Sequence, residues 1–168
     1  MQPNTGPLKF NPDMAKGPPV PPKILNKKVR YNFEVLDKLE AGIALTGSEV
    51  KSLRSGNASL EEAYAFIRAG EMYLIDCNIS PYPMAGYAQH KPTRERKLLL
   101  HRREIRKWEA KVAQRGLTIV PVALYFNEHG KVKLVLALAR GKTHADKRAT
   151  LRKRDDARDM DREIRRRR

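Results

Sequence analysis

Apolar and polar positions alternate with a period of two along most of residues 26–140, and with a helical period in two places. Phe33 and Val35 alternate with polar neighbours, and Gly42 makes a turn before Ile43-Ala44-Leu45-Thr46. Residues 63–68 and 72–79 read as a hairpin about Ala69-Gly70-Glu71. Two longer strands follow, 117–126 and 131–140, joined by Asn127-Glu128-His129-Gly130. The second is the cleanest, with Val132, Leu134, Leu136 and Leu138 on one face and Lys131 and Lys133 on the other. Pro121 falls inside the first and demands an edge or a bulge, because proline has no N–H for the ladder.

Helical spacing predicts one helix over residues 47–56, stopped by Gly56. Residues three apart stack on a helix, so Val50 and Leu53 share an inward face while Lys51 and Arg54 share another. A longer helix is predicted over 94–115, with Leu98, Ile105, Trp108 and Val112 as its apolar stripe and Gly116 at its end. Each helical step turns a side chain by about 100°, so Leu98-Leu99-Leu100 cannot all face that stripe. Leu99 is the one expected to point outward. The total is roughly six antiparallel strands with two to three helices. A sheet this small removes its exposed edges by curling, and the predicted fold is mainly β, an OB-like six-stranded barrel with flanking helices.

Composition divides the chain in three. Residues 1–25 hold seven of the eleven prolines and read as a disordered or polyproline arm. Residues 26–140 hold the periodic apolar sequence. Residues 141–168 carry twelve Lys/Arg against six Asp/Glu, lack aromatics, and cannot bury enough apolar surface to fold alone. Asp161/Arg165 and Glu163/Arg167 stand at i, i+4 with the acid first, which favours a helix once the tail is held by a partner.

The formal charge is +16, from 35 Lys/Arg against 19 Asp/Glu. Self-repulsion of that size points to an anionic partner. No apolar run approaches the roughly 20 residues of a membrane span, and the first 22 residues lack the apolar stretch of a secretory signal, so a cytoplasmic protein is expected. Cys77 is the single cysteine, which rules out an internal disulfide. His90, His101, His129 and His144 are scattered rather than set at metal-ligand spacing, and His129 reads as a hairpin-loop residue. No nucleophile elbow or phosphate-cradling glycine loop occurs. The expectation is a binding protein, not an enzyme, without cofactor or metal.

Basic clusters carry the remaining information. Asn26-Lys27-Lys28-Val29-Arg30-Tyr31 places cations beside an aromatic ring ahead of the first long strand, suited to phosphates and a stacked base. A solvated strand entrance, with Tyr31 capping the barrel, is the plain alternative. Lys51 and Arg54, then Arg94-Glu95-Arg96-Lys97 and His101-Arg102-Arg103, then Lys131 and Lys133, extend the basic surface. A ribosomal or RNA-packaging protein that uses charge alone is the competing functional class.

Several motifs resemble those of the small protein B family, the SsrA-binding proteins that partner transfer-messenger RNA. They are Asn26-Lys27-Lys28, the run from Leu39 to Gly56 containing Glu49-Val50-Lys51-Ser52-Leu53-Arg54, Asp76-Cys77-Asn78-Ile79, Pro92-Thr93-Arg94-Glu95-Arg96-Lys97-Leu98-Leu99-Leu100, and Gly141-Lys142 followed by Asp146-Lys147-Arg148. The resemblance covers residues 24–168. It implies an OB-like barrel that binds the tRNA-like domain of transfer-messenger RNA and carries it to stalled ribosomes. The tail would occupy the vacant mRNA channel near the small-subunit decoding centre. Elongation factor Tu and alanyl-tRNA synthetase would be met only indirectly, through the RNA, and the protein would act as a monomer.

By motif position the RNA-contact roles fall on Glu40, Leu99 and Lys131. The ribosome-contacting roles fall on Gly141, Lys142, Asp146, Lys147 and Arg148, and the tail expectation extends to Arg152, Lys153 and Arg154. Tyr31 stands where many relatives have histidine and can still stack. Ala145 stands where many have the histidine before Asp-Lys-Arg and cannot stack, which leaves His144 as the candidate replacement. Ser48 replaces an aromatic that many relatives carry before Glu49-Val50.

Overall fold

The computed structural model describes residues 21–113, 116–143 and 145–148, together with residues 152, 158, 160, 162 and 165. The described elements run β1 (Ile24–Leu25), α1 (Val29–Asn32), β2 (Phe33–Ile43), α2 (Gly47–Arg54), β3 (Ala58–Ser59), β4 (Tyr64–Arg68), β5 (Glu71–Ile75), β6 (Asn78–Ile79), β7 (Arg96–Leu99), α3 (Arg102–Val112), β8 (Leu117–Phe126) and β9 (Val132–Gly141). Six strands close on themselves in the order β2–β9–β8–β4–β5–β7 and back to β2, every pairing antiparallel. Closure leaves no free edge in the ring, and the predicted six-stranded barrel is what forms.

The barrel interior is filled by alternate residues. Leu134, Leu136 and Leu138 of β9 meet Ile119 and Leu124 of β8, Met72 and Leu74 of β5, and Leu98 of β7, all essentially inaccessible. Burying each such side chain contributes about 1.5–3 kcal/mol. On the outer face of β8 and β9 a smaller cluster gathers Val29 of α1 with Val120, Ala137 and Ala139. Both faces of β9 are therefore covered at its Ala137–Ala139 end, which explains the alanines there, whereas Lys133 at the other end faces the open side.

Pro121 sits where the β8–β9 register shifts, between Pro121 and Ala123. The bulge absorbs the missing N–H, and the neighbouring Val122 carbonyl accepts the Asn26 N–H at 2.9 Å. There β1 joins β8, so Ile24 and Leu25 belong to the sheet although residues 1–25 were expected to form a disordered arm. Ile24 is half buried against the main core, which is what draws it in.

Two further expectations need correction. The helix predicted over 94–115 divides into β7 and α3. Arg96 and Leu98 are buried while Lys97 and Leu99 are exposed, a period of two that lets β7 pair with both β5 and β2 and close the ring. Leu99 does point outward, through strand alternation rather than helical rotation. Helix α3 starts only after His101, whose backbone N–H donates to the Glu104 carboxylate at 2.9 Å, and it keeps Ile105 and Trp108 on its buried face. The strand expected over 72–79 stops at Ile75, because Asp76 takes φ +52° and turns the chain out of the barrel. Asn78 and Ile79 then pair with β3 in a separate two-stranded ladder. The hairpin turn itself is the two residues Ala69 and Gly70, at φ +52° and +73°, so Glu71 is a strand residue opposite Arg68.

Candidate nucleic-acid interface

Strands β2, β7 and β9 lie side by side, and their outward positions bring together residues that are distant in sequence. Gly42 pairs with Leu99, and a Cβ built on Gly42 would stand 3.1 Å from Leu99 Cβ. The absent side chain leaves room for Leu99 to lie across the β2 backbone, where it remains 55% exposed. Around it are Glu40, Lys97, Arg102, Arg106 and Lys133, which with Leu99 line an open groove of about 860 Å³. A second depression shares Leu99 and Lys133 and adds Val50 and Lys131. Leu99 is thus the apolar ridge between two cationic hollows.

Glu40 is held by the Tyr125 hydroxyl, which donates to it, and by Lys133 Nζ at 3.2 Å. The hydroxyl first and the ammonium second keep its carboxyl below the usual glutamate range, so it is an anion with accepting capacity facing the groove. Lys97 pairs with Glu71, whose other oxygen accepts from the Tyr73 hydroxyl. An exposed aliphatic side chain between a carboxylate and several ammonium and guanidinium groups matches the chemistry of a nucleobase flanked by phosphates.

Other expected contact residues separate by environment. Lys27, Arg30 and Tyr31 are exposed around α1, as are Lys51 and Arg54 on one face of α2. Asn26 is buried: its Nδ2 donates to the Leu60 carbonyl at 2.7 Å and its Oδ1 accepts the Lys28 N–H at 3.1 Å. Its amide helps shape the turn into α1. Lys28 reaches Glu61 and Glu62 at 2.9 Å each, and hydrogen bonds to those two carboxylates raise its pKa.

The start of the basic extension is tied to the barrel. Gly141 pairs with Phe33. Lys142 donates its N–H to the Asn32 carbonyl at 2.8 Å and its Nζ to the Arg30 carbonyl at 2.9 Å. The Asp146 carboxylate accepts from Thr143 Oγ1 at 2.6 Å and from the Thr143 N–H at 3.2 Å, and 145–148 are helical. Asp146 therefore serves the start of a helix, while Lys147, Arg148 and Arg152 extend from helical backbone. His144, Lys153, Arg154, Asp161 and Glu163 lie outside the described residues.

The buried face of α2 was misjudged in sequence. Val50 is only half buried, and the inward residues are Ser48, Glu49, Ser52 and Leu53. Glu49, fully buried, is the centre of an ionic hub. It accepts from Arg94 Nε at 2.8 Å and Nη2 at 2.6 Å, from Arg96 Nε at 2.8 Å, and from the Thr46 N–H at 2.7 Å. Arg96, also fully buried, spends its remaining donors on the carbonyls of Cys77 at 2.7 Å, Pro92 at 2.8 Å and Arg94 at 3.0 Å. Burial pushes the Glu49 carboxyl up, but Arg94, the Thr46 N–H and Arg96 outweigh it and the net shift is downward. One trace of this was legible: Arg96 stands two residues before Leu98, on the same strand face. No group of three or more His, Cys, Asp or Glu among the described residues is placed to hold a metal ion, and no helix among them is long and apolar enough to cross a membrane.

The family described as SmpB protein matches residues 23–166. The chain is 51% identical over 142 residues to the SsrA-binding protein of Myxococcus xanthus, covering 84% of this chain and 87% of that protein. It is 51% identical over 140 residues to the SsrA-binding protein of Rhodopseudomonas palustris strain BisB5, covering 83% and 89%. A solved chain described by the words "tmRNA-SmpB: a journey to the center of the bacterial ribosome" superposes with a TM-score of 0.63 at 48% identity, covering 73% of this chain and 86% of that one. With the barrel closed as expected and the motif residues assembled in it, the chain belongs to the SmpB family.

Proposed function

We propose that this protein binds the tRNA-like domain of transfer-messenger RNA through the Leu99 groove and delivers it to stalled ribosomes for trans-translation. It acts in the cytoplasm, as a monomer and without chemistry of its own. Elongation factor Tu and alanyl-tRNA synthetase act on the RNA it carries. The tail, from Thr143 onward, occupies the vacant mRNA channel near the decoding centre.

The observation that supports this most is the exposed Leu99, seated on Gly42 between the Glu40 carboxylate and Lys97, Lys131 and Lys133. The aliphatic ridge packs on an unstacked base, Glu40 accepts from a base amino group, and the lysines meet phosphates. The names of the curated relatives point to the same RNA.

Competition and truncation test the reading. Binding to a transcript of the tRNA-like domain is expected to survive excess unrelated RNA, since charge alone would treat all RNAs alike and weaken steeply with salt. Equal competition by any RNA refutes it. Because Gly141 and Lys142 belong structurally to the barrel, the tail is best removed after Lys142. That truncation is expected to retain RNA binding and lose tagging of stalled products. Loss of both would show that the tail is misassigned.

A further inference from the structure

Strands β1, β8, β9 and β2 lie edge to edge in that order. Leu124, Leu134 and Ala41 are buried in the core, so strand alternation sends their neighbours Tyr125, Lys133 and Glu40 to the outer face. Tyr125 is the cross-strand partner of Lys133, and Glu40 stands two strands away on β2. Neighbouring strands are about 4.8 Å apart, so the phenol lies across β9 to bring its hydroxyl to Glu40 Oε2, where it donates. Lys133 Nζ takes the other oxygen, Oε1, at a looser 3.2 Å. At the opposite end of the row, one residue before the Ile24–Leu124 pair, Lys23 Nζ stands 5.4 Å from the centroid of the Tyr125 ring. Lys23, Tyr125 and Glu40 thus form one lateral chain across four strands.

The two partners of Glu40 differ in what an arriving RNA does to them. An ammonium is drawn toward a phosphate, so Lys133 swings away from the carboxylate as the RNA settles. A phenol hydroxyl carries no charge and stays with the anion. It occupies Oε2 and leaves Oε1 turned to the groove for a base amino group. Because this donor is neutral, the carboxylate keeps its charge for the base, whereas a second ammonium there would cancel it. The hydrogen bond to Glu40 raises the Tyr125 pKa, so the hydroxyl remains a donor. The Lys23 ammonium over the ring steadies it through cation–π attraction. Without the hydroxyl, Glu40 is left to close on Lys133 alone, and that pair withholds both groups from the RNA.

We infer that Tyr125, braced by Lys23, is a positioning residue that sets the specificity of the groove: it holds the Glu40 carboxylate toward a base edge while Lys133 turns to phosphate. This rests on the groove proposed above and deepens it, and it ties the segment ahead of β1 to the choice of RNA.

The test uses the full chain carrying Tyr125→Phe, Glu40→Gln or both, with urea denaturation as the check on folding. The probes are the tRNA-like transcript and an unrelated RNA duplex of equal charge. Tyr125→Phe is expected to weaken the transcript by roughly 2- to 13-fold, the net contribution of one hydrogen bond, and to leave the duplex unchanged. In the Glu40→Gln background the same substitution should add no further loss, since it acts through the carboxylate. By NMR of isotope-labelled glutamate in the RNA-free protein, the Glu40 carboxyl should titrate at higher pH in Tyr125→Phe, because the hydroxyl is the main influence holding it down. Lys23→Gln should move both readouts in the same direction by less. Additive losses in the double variant would make Tyr125 an RNA contact in its own right. An unmoved Glu40 titration would show that it does not hold the carboxylate, and equal losses for transcript and duplex would reduce its part to general packing. Each of these overturns the proposal. A wild-type protein that does not prefer the transcript to the duplex refutes the groove instead, and the titration, read without RNA, still reports on Tyr125 and Glu40.

Discussion

Replacing Glu49 with glutamine keeps the shape of the hub and removes its charge. Arg96 then remains fully buried with neutral acceptors only, and Arg94 loses the anion that receives two of its donors. Removing one partner of a buried ion pair costs about 3–5 kcal/mol, because the other charge stays buried and uncompensated. With roughly 2–4 °C lost per kcal/mol for a chain of this size, the melting temperature should fall by roughly 6–20 °C. Arg94→Gln should cost less than half as much, since Arg94 is 31% exposed and Glu49 keeps Arg96. Urea denaturation followed by the fluorescence of Trp108, which lies in the core, measures both. The folded-state pKa of Glu49 is depressed, so its contribution is present above the unfolded glutamate value and is lost as pH falls through the lower folded value. Wild type should therefore lose stability in acid more steeply than Glu49→Gln. A glutamine variant within about 1 kcal/mol of wild type at pH 7 would refute the view that this ion pair holds α2 to β7.

Gly42→Ala puts a Cβ 3.1 Å from Leu99 Cβ, so Leu99 should be displaced and binding of the tRNA-like transcript should weaken several-fold in a filter assay, with little change in melting. Gly56→Ala forces alanine to φ +76° and places its Cβ 2.9 Å from Pro22 Cγ; the left-handed backbone alone should cost about 1–2 kcal/mol in urea titration, and deleting residues 1–22 should relieve only the steric part. Cys77 is fully buried and burial pushes its thiol up to about 11, so iodoacetamide at pH 7.5 should label it only at the rate of unfolding, and rapid labelling of the native protein would contradict that burial.

The barrel was legible because β9 is long and alternates cleanly, with Leu134, Leu136 and Leu138 turned inward, and because the hairpin and turn signals divide the rest into strands around it. The Arg96–Leu99 segment was not. Four residues are too few for periodicity to separate strand from helix, and the leucines beside a strong α3 stripe extended the helical pattern backwards. What decides it is non-local, since β7 supplies the rung between β5 and β2 that closes the ring. The hub was hidden for a related reason. Glu49 and Arg96 are charged types that sequence reasoning assigns to the surface, and only their mutual satisfaction across 47 residues permits their burial. The groove was legible in parts, as Leu99 and the lysines of β9, but its dependence on Gly42 needed the register of two strands. Asn26 shows the converse, a polar residue in a basic cluster that is buried with its amide bonded into a turn.

The distribution of charge bears on how the proposed groove would select its ligand. Residues 21–140 carry twenty-one Lys/Arg against twelve Asp/Glu, whereas 141–168 carry twelve against six in a quarter of the length. In the groove two of the cations are matched, Lys133 with Glu40 and Lys97 with Glu71. Exposed pairs of this kind are worth only about 0–1 kcal/mol each, so an RNA can rearrange them. A ligand that brings phosphates alone satisfies Lys133 but leaves the Glu40 carboxylate facing added negative charge. One that also presents a base amino group satisfies both, and its base covers Leu99. If RNA binds in this groove as proposed, the carboxylate among the cations would penalise bare polyanions and favour an RNA whose fold exposes a base edge beside its backbone, so that shape, more than total charge, would decide what the barrel holds.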